Sequence, residues 1–114
     1  MRPWQKLAVL LLLAGSLPGQ DAVIPATARA LRLRFGNAAT RALANFRSAD
    51  SIEDNLRAHG NTLHPTLIAL RLRIEAALDE GEAALNKGDL EASADSITRA
   101  EALVEKFGKK LGGD

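Results

Sequence analysis

Two histidines, three carboxylates at helical spacing and a set of five arginines are the residues of this 114-residue sequence whose types and positions could do chemistry. His59 and His64 lie five apart across Gly60, close enough to meet at a turn. A metal held by imidazole needs further ligands at fixed spacing, and neither Glu-x-x-His nor His-Glu-x-x-His occurs. They read as histidines at helix ends, half in water. Glu75, Asp79 and Glu82 share one helix face through their 4 and 3 spacing. Hard cations take six or more oxygens from a loop or cage, which a single helix face does not offer, so this face reads as solvated. Ser48, Ser51, Ser93 and Ser96 stand in no Gly-x-Ser-x-Gly elbow. The first two read as helix caps, the last two as small surface or flank positions. The absence of Cys removes thiolate nucleophiles, thiolate metal sites and disulfides. Gly112-Gly113 opens no helix and so cradles no phosphate. The expectation is a protein that is not an enzyme, with no catalytic, cofactor-binding or metal-ligating residue and no small-molecule substrate.

The arginines remain. Arg29, Arg32, Arg34, Arg41 and Arg47 face only Asp21 between residues 21 and 48, a net of +4. Residues 49–114 carry 8 basic and 13 acidic side chains, a net of −5. All five cations are Arg, whose planar fork binds carboxylates and phosphates in pairs of hydrogen bonds where Lys offers a point charge. Two uses compete. The basic segment can lie along the acidic remainder of its own chain and set its orientation, or it can contact an anionic partner such as an envelope surface or another protein. The chain as a whole, with 15 basic and 14 acidic residues, lacks the strong positive charge of a nucleic-acid binder.

The elements that position these residues begin after an address. Arg2 and Lys6 precede an apolar run from Leu7 to Ala14, and Gly15, Ser16, Pro18 and Gly19 follow. A basic start, a short apolar stretch and a small-residue exit describe a secretory signal peptide over residues 1–19. Leu7 to Leu17 would span only about 16 Å as a helix, short of the roughly 20 residues a bilayer core demands. Cleavage is expected after Gly19, with Ala14-Gly15-Ser16 as the alternative exit. The mature chain, residues 20–114, then carries 13 basic and 14 acidic residues and forms one domain. Export without disulfides suits a bacterial periplasm, so the expected location is periplasmic or secreted.

Helical periodicity runs through the whole mature chain. Ile24, Ala28, Leu31, Phe35, Ala39, Ala42 and Phe46 predict a helix over 25–47, with Gly36 a weak point costing about 1 kcal/mol relative to Ala. Ser51 with Asp54 approximates a capping box and predicts a short helix over 51–58 that stops at Gly60. Asn61 or Thr62 would cap the next helix, 63–87, whose seam is Leu63, Leu67, Leu70, Ile74, Ala77, Gly81 and Leu85. Ile68 and Leu72 widen that stripe and predict contact with a second neighbour. Gly88 and Asp89 punctuate the chain before a last helix over 89–111, whose stripe is Leu90, Ala94, Ile97, Glu101 or Ala100, Val104, Phe107 and Leu111. The fold class expected is all-α: three long helices plus one short, with a long antiparallel C-terminal hairpin.

Within that hairpin Gly81, Gly88, Asp89 and Ala100, with Leu90 and Ile97 between, resemble a single tetratricopeptide repeat over residues 77–105. Ala77 replaces the family's large aromatic, Glu80 stands where it has an apolar residue, and Glu105 where it has Pro. The pattern does not recur 34 residues upstream, where Arg47, Asp54 and Thr66 fall instead. The resemblance implies a helix–turn–helix used in protein–protein interaction. The functional expectation is therefore an exported helical module acting through a protein partner or self-association; the alternative is an envelope- or membrane-surface binder using the arginine-rich first helix.

Overall fold

A computed structural model describes residues 26–112. Among them the chain is all-α: α1 spans Ala26–Ala58, α2 Pro65–Lys87 and α3 Leu90–Leu111, with no strand. The signal peptide expected over residues 1–19, with its cleavage site, lies outside the described residues.

The first correction is that α1 is continuous through residues 48–51, so no separate helix covers 51–58. Serine and aspartate offer caps, yet neither Gly nor Pro breaks the chain here, and tertiary contacts favour continuation. Ser48 donates its Oγ–H back to the Ala44 carbonyl, Ala49 is wholly buried, and Asp50 accepts from Arg71 of α2 at 2.7 Å. Gly36 does not interrupt the helix either. At about 1.5 Å per residue α1 is roughly 50 Å long, against roughly 35 Å for α2.

Both interhelical turns stop on glycine. Gly60 and Gly88 have φ of 77° and 76°, a left-handed conformation that costs L-residues about 1–2 kcal/mol. In each, the glycine amide and the one after it close on carbonyls of the last turn: Gly60 on Arg57 and Asn61 on Leu56, Gly88 on Leu85 and Asp89 on Ala84. The restarts differ. Asp89 caps α3 by accepting from the Ala92 amide at 3.1 Å, as the sequence predicts. The cap of α2 is neither Asn61 nor Thr62 but His64, whose Nδ1 accepts from the Thr66 amide at 3.1 Å, and α2 starts at Pro65 rather than at 63. Leu63 stays in the connection because its side chain, 5% exposed, is anchored in the core.

The core joins Leu31, Phe35, Ala39, Ala42 and Phe46 of α1 to Leu70, Ile74 and Leu78 of α2 and Ile97, Val104 and Phe107 of α3. The α2–α3 interface is narrow, because small residues face each other. Gly81 is buried, and a Cβ there would meet the Phe35 ring at 3.4 Å and Ser96 Cβ at 3.6 Å. Ser93 and Ser96 are buried, not surface positions. Ser93 hides its hydroxyl by donating to the Asp89 carbonyl at 2.6 Å, so a small polar residue fits where a larger one would hold the helices apart. Toward the other end Phe46 meets Phe107 edge to face, centroids 5.7 Å apart, and the Arg71 guanidinium lies 4.5 Å from the Phe46 ring centre. Ile68 and Leu72, which the sequence places on a widened stripe, stand 45% and 59% exposed. Periodicity shows that two residues share a flank but not whether anything covers it.

Candidate interaction surface

The five arginines do not form one stripe. A helix turns roughly 100° per residue, so Arg29 and Arg47, eighteen apart, fall on the same outward line about 27 Å from each other. Arg34 and Arg41, seven apart, share the flank toward α3, and Arg32 lies on the opposite flank. All five sit in the part of α1 that carries no acid, since Asp50, Glu53 and Asp54 come later.

Arg34 is engaged across the bundle. Its Nε and Nη2 reach both carboxylate oxygens of Glu101 on α3, the latter at 2.5 Å, and Nη2 also donates to Thr98 at 3.2 Å. The hydrogen bond to Glu101 is the main reason the guanidinium pKa is raised, with burial opposing it and the Glu101 charge adding to it. Its side chain remains 41% exposed, so the pair aligns α1 with α3 more than it stabilises the fold. Two further cross-helix pairs reverse the expected polarity or avoid α1: Arg71 of α2 reaches Asp50 of α1, and Arg99 of α3 reaches Glu80 of α2.

Arg41 lines a shallow groove of about 480 Å³ between α1 and the C-terminal end of α3, together with Asn45, Val104, Lys109 and Gly108. Asn45 donates to the Val104 carbonyl at 3.3 Å, and its amide lies 3.4 Å from where a Cβ at Gly108 would stand. Gly108 therefore keeps the groove floor open. Lys109 is held loosely, 3.4 Å from Glu105. A second groove of about 430 Å³ runs along the α2–α3 turn past Glu80, Lys87, Asp89 and Arg99. Both are open and carry mixed charge, without the enclosed apolar walls of a small-molecule site.

The acidic face of α2 is half-buried rather than solvated: Glu75, Asp79 and Glu82 are all partly covered. Burial, with the Asp79 charge adding to it, pushes the Glu82 carboxyl above its ordinary value. No group of three or more His, Asp or Glu among the described residues could hold a metal ion. His59 and His64 are exposed at the two ends of the α1–α2 connection and engage backbone rather than each other.

The large apolar side chains left in water are Leu33, Ile52, Ile68 and Leu72. Ile68 and Leu72 stand one turn apart on the outward face of α2, with exposed Ala69 and Ala76 beside them. The sequence does contain this stripe, but as part of an inward seam; the signal that separates it is its offset from the Leu67–Leu70–Ile74 line. Among the described residues no helix is long and apolar enough to cross a membrane. No protein-family model matches the chain, and neither a curated protein nor a solved structure is significantly similar to it.

Proposed function

We propose that this is an exported, non-enzymatic helical module of a bacterial envelope that acts through protein contact, self-association included. The observation that carries the reading is the exposed pair Ile68 and Leu72 on α2, more than half of Leu72 lying in water beside a core that already fills the other side of the helix. Burying such side chains against a partner is worth up to about 1.5–3 kcal/mol each, a driving force that the isolated bundle leaves unused. A two-residue turn between α2 and α3, crossed by the Arg99–Glu80 pair, supports an antiparallel hairpin. Ala77, Gly81 and Ala100 are all buried there, which suits a tetratricopeptide-like helix–turn–helix with Phe35 of α1 covering its face.

Sedimentation equilibrium on the chain lacking residues 1–19 tests the proposal. Association that strengthens with concentration and disappears in an Ile68→Glu/Leu72→Glu variant of unchanged helicity is the expected result. A strictly monomeric protein that also yields no crosslink from position 72 to any envelope protein overturns it.

A second reading, binding of an anionic envelope surface, is favoured by Arg41 and Lys109 converging on one groove with Asn45 between them. Cosedimentation with anionic vesicles that weakens steeply with salt is its signature, and binding unchanged at high salt excludes it.

A further inference from the structure

The two histidines are fixed in opposite tautomers by what they touch. His59 Nδ1 lies 2.9 Å from the Asn55 carbonyl oxygen, which can only accept, so Nδ1 carries the proton. His64 Nδ1 lies 3.1 Å from the Thr66 amide, which can only donate, so Nδ1 is bare and Nε2 carries the proton. Each imidazole is exposed, and neither has another hydrogen-bond partner among the described residues.

Protonation therefore acts on them unequally. At His59 the new proton arrives on the free Nε2, leaves the contact with Asn55 intact, and places positive charge at the C-terminal end of α1, where the helix dipole favours it. At His64 the new proton must occupy the cap atom itself. The acceptor becomes a donor facing a donor, and the positive charge sits at the N-terminal end of α2, where the dipole opposes it. The first turn of α2 holds no acidic residue that would compensate.

We propose that the α1–α2 connection is a pH-responsive hinge, closed while His64 is neutral and loosened when it is protonated. The charged groups on the two helices that flank the connection are Asp50, Glu53, Asp54 and Arg57 of α1 and Arg71 of α2, while Lys109 of α3 lies at the Arg41–Asn45 groove. Glu53 is engaged by Arg57 and Asp50 by Arg71, so no carboxylate hydrogen-bonded to His64 holds its proton in place of the cap. Loosening frays the first turn of α2 at Thr66.

Nitrogen and amide NMR of the chain between about pH 8 and about pH 5 tests the hinge. At the upper limit His64 is expected as the Nε2–H tautomer and His59 as the Nδ1–H tautomer. On acidification the Thr66 amide should exchange with solvent about five- to tenfold faster after correction for intrinsic rates, the amount a lost helix cap implies. A His64→Asn variant, which caps without titrating, should lose this response, and His59→Gln should keep it. An Nδ1–H tautomer at His64, or an acid response surviving in His64→Asn, overturns the proposal.

Discussion

The two turns of this bundle end their helices alike and begin the next ones differently. At both, a left-handed glycine closes the last helical turn with the same pair of backbone hydrogen bonds. After Gly88 a single aspartate restarts the chain, so α2 and α3 leave the turn already side by side, and small residues let them stay close. After Gly60 four residues intervene, the restart depends on an imidazole, and the apolar surface nearby is incompletely covered. A helix stop is a local decision made by one residue's backbone. How tightly the next helix packs depends on the length of the restart and on the side chains that meet behind it.

Substitutions can break this contrast in order of size. Phe35→Ala removes the ring that seats on Gly81 and should lower unfolding free energy by about 3–5 kcal/mol in urea titration. A loss well under that would mean the α2–α3 end is less tightly packed than its small residues suggest. Gly88→Ala and Gly60→Ala should each cost about 1–2 kcal/mol from backbone strain alone, since nothing lies within 4 Å of a Cβ at either position. Equal costs would show that the stop signals are equivalent and that the difference lies wholly in the restarts. Asp89→Ala and His64→Ala should each cost about 1 kcal/mol near neutral pH, read in the same urea titration.

The smallest effect concerns Glu82. Its folded-state pKa is raised by burial and by Asp79, so the ionised carboxylate is less favourable in the folded chain than in the unfolded one. The sign follows: this group's contribution to stability improves as pH falls through the raised value and is least favourable at neutral pH. Glu82→Gln should accordingly stabilise slightly at neutral pH, by less than about 1 kcal/mol, with the gain fading in acid. Thermal melts at two pH values would show it, and a gain that grows in acid would contradict the assignment.

How far the sequence carries this architecture differs by position. The seams of α2 and α3 are legible because Leu67, Leu70, Ile74, Ile97, Val104 and Phe107 repeat at helical spacing, and Gly88 with Asp89 are residues whose backbone and side-chain chemistry act within one turn. The continuity of α1 is not legible, because Ser48, Asp50 and Ser51 advertise caps locally, while the burial of Ala49 and the reach of Arg71, more than twenty residues away, to Asp50 are tertiary. His64 escapes notice as a cap because imidazole is rarely used for that role, although its position directly before Pro65 is a start signal. The five arginines are visible as a charge excess, but their division over three sides of α1 emerges only when each is turned through its helical angle.

The contact between Phe46 and its neighbours has a practical consequence. Residues 20–114 hold Phe35, Phe46 and Phe107 but neither Trp nor Tyr, so a chain without its first nineteen residues is nearly transparent at 280 nm and invisible to tryptophan fluorescence. Phe46 offers a substitute reporter. Its ring on α1 sits against the edge or face of Phe107 on α3 and beneath the guanidinium of Arg71 on α2. Ring-current displacement of the Phe46 proton resonances therefore registers the assembly of all three helices in one signal, with no label attached.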